Sequence, residues 1–111
     1  MFVALYRWKL KEGFERRFQE GWRRRTAELY RRGGSLGSRL HRAEDGTWVA
    51  YAQWPSRRAW EDARGVPVED AEASILMRES VETSYPETYM EVADDLLAER
   101  RFGEREGAEE E

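Results

Sequence analysis

Apolar and polar positions along this chain fall into stretches that predict the order strand, helix, strand, strand, helix, strand. Residues 2 to 10 set Phe2, Ala4, Tyr6 and Trp8 against Val3, Leu5, Arg7 and Lys9. Apolar groups on both sides near its start predict a strand covered on both faces. Lys11-Glu12-Gly13 breaks it. Phe14, Phe18, Trp22, Leu29 and Tyr30, with Thr26 continuing the row, then recur at helical spacing and predict a helix over 14–32. Gly33-Gly34 stops that helix at the left-handed cap position. Its other side carries Arg16, Arg17, Arg23, Arg24, Arg31 and Arg32. The pairs Glu12 to Arg16, Glu20 to Arg24 and Glu28 to Arg32 stand in the favourable i, i+4 order. Interleaved glutamates make this a solvated, ion-paired face rather than a phosphate-binding one.

The densest local signal lies between Gly34 and Trp60. Leu36, Ser38, Leu40 and Arg42 fall on one side of an extended chain, and Gly37, Arg39 and His41 on the other. Glu44-Asp45-Gly46 supplies a residue that tolerates positive φ where a hairpin reverses. After the turn Trp48, Ala50, Ala52 and Trp54 share one side, with Val49, Tyr51 and Gln53 opposite. Pro55 ends the ladder by removing a donor, and Ser56 caps a short helix to about residue 64 whose Ala59, Trp60 and Ala63 face inward. Gly65-Val66-Pro67 interrupts. Val68, Ala71, Ile75 and Leu76 predict a helix over 69–81, and Tyr85-Pro86 begins a last strand with Thr88, Met90 and Val92 alternating against Tyr89, Glu91 and Ala93. Asp94 caps a short final helix carrying Leu96 and Leu97.

This order is a split βαβ pattern: a ferredoxin-like α+β fold with a four-stranded antiparallel sheet and the helices on one face. The other face is left open, and its simplest cover is the same face of a second copy. The predicted domain spans residues 1–98, followed over 99–111 by an acidic tail expected to be disordered. The chain has 111 residues and no cysteine, so a disulfide framework, a zinc cluster and a thiol nucleophile are excluded. It starts straight into Phe2-Val3-Ala4-Leu5-Tyr6, without a basic leader or long apolar run, so a cytoplasmic location is the default expectation. Of the formal charge of -4, the six glutamates and three arginines of residues 99–111 account for -3. The near-neutral remainder points to neither a nucleic acid nor a membrane surface as partner.

Gly34-Ser-Leu-Gly-Ser-Arg-Leu-His-Arg, followed by Tyr51-Ala52-Gln53-Trp54, a Ser-capped helix and an aromatic at 60, resembles the antibiotic biosynthesis monooxygenase domain family over residues 1 to 95. The resemblance implies a homodimeric α+β barrel with a cleft in each subunit between sheet and helices. It implies a cofactor-free oxygenase acting on a quinone- or anthrone-like aromatic molecule, with Trp54 and Trp60 lining the cleft and Arg78 as the basic residue of the second helix. Those enzymes carry an asparagine where this chain has Ala50, and an alanine supplies no hydrogen bond to a substrate carbonyl. The haem-degrading branch uses a histidine on the second helix, which residues 69 to 81 lack. The competing class is a non-catalytic, ligand-binding or stress-related barrel dimer, and a third is a structural dimer whose aromatics are core.

Among individual residues, His41 is the only histidine and the natural general base, although its place near the turn favours a surface or interface histidine over a catalytic one. Without cysteine or clustered carboxylates nearby it is no metal signature, and no metal or cofactor site is read from the chain. Trp54 is a catalytic candidate, because a buried indole needs a hydrogen-bond partner. Trp60, Trp22 and Phe18 are expected to wall the same space, as substrate contacts or as core. Arg39 and Tyr51, with His41, are candidates to assist deprotonation; Arg7, Arg39, Tyr51 and Gln53 are expected to converge on the sheet face away from the helices.

Overall fold

The hairpin is the local structure most fully dictated by sequence. β2 (Gly37–Arg42) and β3 (Trp48–Trp54) pair antiparallel with Ser38 opposite Ala52 and Leu40 opposite Ala50. Gly46 takes φ +88°, and Asp45 accepts from the backbone N–H (2.9 Å) and hydroxyl (2.7 Å) of Thr47. The computed structural model describes residues 1–98; the predicted acidic tail lies outside the described residues.

β1 (Phe2–Leu10) is the central strand, pairing β3 along its length from Phe2 opposite Trp54 to Trp8 opposite Trp48. The sheet is antiparallel in the order β2-β3-β1-β4, and it remains open rather than closing on itself. At the far edge the predicted single strand is two. β4 (Val81–Ser84) lies beside Trp8–Leu10, and β5 (Thr88–Glu91) lies beside Phe2–Leu5, so four positions are filled by five strands. Tyr85 still donates its N–H to the Arg7 carbonyl (3.0 Å), but Pro86 has no donor and the ladder parts there. The predicted final helix is absent: residues 94–98 are irregular.

α1 (Glu15–Arg32) ends with Gly33 in right-handed geometry and Gly34 at φ +80°, so only the second glycine of the pair needs the freedom of a positive φ, while a Cβ on Gly33 would stand 3.1 Å from the Leu29 carbonyl oxygen. Phe18 is fully buried, whereas Tyr30, predicted inward, is 61% exposed. α2 (Arg57–Ala63) starts where Ser56 Oγ accepts from the Ala59 N–H at 3.1 Å. α3 (Ala71–Ser80) is capped by Asp70, which accepts from the Ala73 N–H at 3.1 Å. Its inward residues are Ala73, Met77 and Ser80, not the predicted Ile75, which is exposed. The reason is steric. A Cβ on Gly21 of α1 would lie 2.6 Å from the Ala73 carbonyl oxygen and 2.8 Å from Met77 Cγ, so the two helices meet at a distance that only small residues allow.

Two polar clasps flank that seam. Arg24 donates to both carboxylate oxygens of Asp70, at 2.9 and 2.8 Å. Glu28, 2% exposed, accepts from the N–H groups of Glu69 (2.8 Å) and Asp70 (3.1 Å) and lies 3.3 Å from Arg32. The Glu69 N–H first, then that of Asp70 and the charges of Arg25 and Arg32, hold the Glu28 carboxyl below its ordinary value of 4.5.

Gly21→Ala tests the seam. Alanine favours a helix by about 1 kcal/mol, but the atom it meets is backbone and cannot swing aside, so a net loss on the order of 1–2 kcal/mol is expected in urea unfolding. Gly65→Ala, whose Cβ would meet only Asp62 O at 3.5 Å, is the control and should change stability by about 0.5 kcal/mol or less. Glu28 gives a pH test. Because its folded pKa is depressed, its contribution is present above pH 4.5 and fades as pH falls through the folded value. Glu28→Gln should cost on the order of 1–3 kcal/mol at neutral pH and flatten the acid limb of a stability–pH curve below 4.5.

Candidate functional site

Strand parity divides the side chains of the sheet. Phe2, Ala4, Tyr6 and Trp8 of β1, Ala50, Ala52 and Trp54 of β3, and Ser38 and Leu40 of β2 face the helices. Aromatic rings surround this side: Tyr6 stacks on Trp8 at 5.9 Å, Trp8 meets Phe18 edge-on at 5.0 Å, and Phe2 meets Trp60 at 5.4 Å. Between them the alanines leave a hollow of about 190 Å³, floored by Ala50, Ala52 and Ser38 and roofed by Trp22, Arg25 and Leu29 of α1 and Met77 of α3. Tyr6, Trp8 and Trp54 close its sides.

Its polar groups are few: the Trp54 indole and the Arg25 guanidinium can only donate, and the hydroxyls of Tyr6, Thr26, Ser35 and Ser38 can donate or accept. Trp54 is 3% exposed, and its indole Nε1–H has no protein partner among the described residues; the same holds for Ser38 Oγ. Both residues line this hollow. Trp60 Nε1–H donates to Tyr6 Oη at 3.2 Å, which leaves the phenol proton free to donate in turn. Burial pushes the Tyr6 phenol up from its ordinary value, partly opposed by the Trp60 hydrogen bond, so it stays protonated at neutral pH. Arg25 lies where three hollows meet, lining the inner one, a second of about 210 Å³ beside Trp60, and an outer one of about 570 Å³ beside Arg78.

The predicted residues are thus distributed rather than gathered. Trp54 and Trp22 line the inner hollow, Trp60 joins Trp54 in the second, and Phe18 and Arg78 flank the outer one beyond Trp8. His41, Arg39 and Tyr51 stand on the opposite face of the sheet, where with Gln53 they line a hollow of about 480 Å³. The β-sheet separates them from Trp54, so the two groups cannot act on one ligand in the cleft of a single subunit. His41 Nδ1–H donates to the Val49 carbonyl at 3.1 Å, and the ring is exposed. Arg7 does not join Arg39 and Tyr51: it bonds Asp45 at 3.1 Å and lies over the Tyr85 ring. Among the described residues no cluster of His, Asp or Glu is arranged to hold a metal ion, and no helix is long and apolar enough to cross a membrane.

Sequence reasoning missed Arg25, Ser38 and Tyr6 as site residues. Arg25 had a signal: it follows Phe18 by seven positions and Trp22 by three, a charge on the apolar stripe. Ser38 had a weaker one, a hydroxyl between Leu36 and Leu40 on the helix-facing side of β2.

An open antiparallel sheet with helices on one face and an aromatic-walled cleft between them defines a ferredoxin-like α+β protein. The model of the family described as antibiotic biosynthesis monooxygenase matches residues 1–68, more than half of the chain, and the chain belongs to that family. No curated protein sequence matches it. Among solved structures it is similar to SnoaB, a cofactor-independent oxygenase from Streptomyces nogalater, with a TM-score of 0.71 and 19% identity over 87% of this chain and 97% of that one. It is similar also to Rv0793 from Mycobacterium tuberculosis, with a TM-score of 0.69 and 15% identity over 86% of this chain and 98% of that one. At such identities the likeness shows the shared fold.

The Tyr6–Trp60 hydrogen bond can be tested without any ligand. Tyr6→Phe leaves the Trp60 indole N–H unpaired and should lower stability by about 1–2 kcal/mol in denaturant titration, with a shift in tryptophan emission. Unchanged stability and emission would show that water satisfies the indole.

Proposed function

We propose that this protein is a cofactor-free oxygenase acting on a flat aromatic molecule, of the quinone-precursor or anthrone kind, bound in the cleft between sheet and helices. The observation that carries the reading is the aromatic-walled hollow between sheet and helices, two of whose lining residues, Trp54 and Ser38, hold buried polar atoms, Nε1 and Oγ, without a protein partner among the described residues. A buried donor without a partner costs roughly 1–3 kcal/mol, and a ligand oxygen would relieve it. The family and the likeness to SnoaB support the reaction type. For an anthrone the balance is simple. The methylene carbon takes one atom of O₂ as its new carbonyl oxygen, and the other leaves as water with the two methylene hydrogens. Trp54 and Ser38 hold the substrate oxygen on which negative charge accumulates, and the aromatic walls keep water out.

The working unit is a homodimer. The open sheet face carries Leu5, Val49 and Met90 beside Arg39, His41 and Tyr51, and Leu97 beyond β5 is 79% exposed. Such a mixed face suits an interface, so Arg39, His41 and Tyr51 serve association on this reading. Ala50 favours a second reading, a ligand-binding dimer without turnover, since it removes the donor the oxygenases carry.

An oxygen electrode separates the two. Consumption of O₂ with an anthrone, falling about tenfold or more in a folded Trp54→Phe variant, supports the oxygenase. Saturable quenching of tryptophan fluorescence by the anthrone with no O₂ uptake supports the binding protein. A sedimentation mass equal to one 13.1 kDa chain would remove the dimer.

A further inference from the structure

The inner hollow, at about 190 Å³, is small for a fused-ring molecule. A cavity of about 150 Å³ holds a benzene ring, and drug-sized ligands occupy sites of about 300–1,000 Å³. The outer hollow, about 570 Å³, lies at the surface among the exposed Arg78, Glu82 and Ser84. Trp8, Arg25 and Met77 line both spaces, so these three side chains form the boundary between them. We infer that Met77 is the specificity-determining residue of the cleft: a movable partition that confines the closed site to a single ring and admits a fused-ring ligand, spanning both hollows, when its thioether end swings aside. This rests on the proposed reading in treating the cleft as the ligand site.

Of the three, only Met77 is free to move. Trp8 lies on the central strand, stacked on Tyr6 at 5.9 Å and edge-on to Phe18 at 5.0 Å, and turning its ring would break both contacts. Arg25 is held by charge, 3.6 Å from Glu28 Oε2. Met77 has no polar anchor, and only its stem is fixed: a Cβ on Gly21 would stand 2.8 Å from Met77 Cγ, so that atom fills the place a side chain at 21 would take. Beyond it Sδ and Cε turn on soft thioether torsions, the property that lets methionine adapt to irregular spaces. The residue is only partly buried, so this swing crosses no packed core.

The inner hollow also borders the space of about 210 Å³ beside Trp60, through Tyr6, Arg25, Leu29 and Trp54. That boundary is stiffer and leads to less room. Tyr6 accepts from Trp60 at 3.2 Å, and Trp54 is 3% exposed. Extension past Met77 instead reaches a space walled by Trp8, Phe18 and Val81, apolar surface that suits flat fused rings. Each such ligand must hold the partition open, and its apparent affinity is lowered by the fraction of time Met77 stands closed. A ligand of one ring meets no such cost, so Met77 discriminates by ring number and not by charge.

Titration calorimetry of the full chain under nitrogen, where no oxygenation intervenes, tests the partition with two ligands: 4-methylphenol, which has one ring, and anthrone, which has three fused rings. Met77→Ala leaves the boundary open and should lower the Kd of anthrone by about tenfold while changing that of 4-methylphenol by about threefold or less. Met77→Leu keeps the bulk and should hold the ratio of the two within about threefold of wild type. Ser74 lines the outer hollow and not the inner one, so Ser74→Trp, which fills the outer space, should weaken anthrone by about tenfold or more and spare 4-methylphenol; it decides the question even if Met77→Ala does not fold. Anthrone binding that neither variant alters overturns the inference and leaves the cleft as the ligand site. So does a gain for anthrone in Leu29→Ala with none in Met77→Ala, because the ligand would then extend toward Trp60. If neither compound binds, the ligand site is refuted along with the partition. If anthrone binds with the expected dependence on Met77 and consumes no oxygen in air, the partition stands and the oxygenase reading falls.

Discussion

The seam between α1 and α3 is the constraint on which the cleft depends. α3 makes its main contacts with α1 rather than with the sheet, so its position over the hollow is inherited from that one packing surface. Gly21 sets the distance, since a Cβ there would stand 2.6 Å from a backbone oxygen that has nowhere to go. Arg24 and Glu28, one and two turns further along α1, set the rotation by gripping Asp70 and the peptide N–H groups that start α3. The Arg24 pair is partly solvated and adds modest free energy, so its value lies in bidentate geometry. Glu28 is different. It is a buried carboxylate satisfied by two peptide dipoles, and removing it would strand those donors as well as the charges around it. Met77, one turn beyond Ala73, then falls over the cavity without needing an anchor of its own.

The second organising fact is the parity of the sheet. β1 lies at its centre, and the period of two sends Tyr6 and Trp8 toward the helices and Arg7 and Lys9 away from them. On β2 and β3 His41, with Arg39 and Tyr51, falls on the outward side, and the inward side holds alanines, Ser38, Leu40 and indoles, with Arg42 at the turn end. A chain with this arrangement has separated its titratable surface from its apolar space by the thickness of one sheet. General acid–base catalysis inside the cleft is thereby removed from the roles that His41 can play within its own subunit, and what remains inside is hydrogen-bond donation, a fixed cation and exclusion of water.

How much of this was legible in the sequence follows from how local each signal is. The hairpin was readable to the residue because turn chemistry at Asp45-Gly46 and alternation in Trp48–Trp54 are both local. The inward face of α3 was not, because Ile75 is the obvious apolar anchor. The true contact demands the small side chain of Ala73, a requirement visible only once Gly21 faces it across the seam. The split of the last strand turned on Pro86, whose missing donor matters only when the strand lies against β1. In the site, Trp54 and Trp22 were legible as large groups at inward positions. Arg25 and Ser38 were obscured by habit, since arginines on an arginine-rich helix read as solvent-facing and a lone serine in a strand reads as filler.

Ala50 gains a second meaning from the geometry. As a missing donor it counts against the chemistry of the better-equipped relatives, but Ala50 and Ala52 are also the reason any hollow exists between rings as large as Trp8, Trp22 and Trp54. A larger side chain on the floor would meet Trp22 or Met77 from below and convert the space into ordinary core. Ser38 lies opposite Ala52 on the neighbouring strand and lines the same hollow, so the one hydroxyl-bearing residue on the floor of the cleft is carried by the edge strand of the sheet rather than by β3.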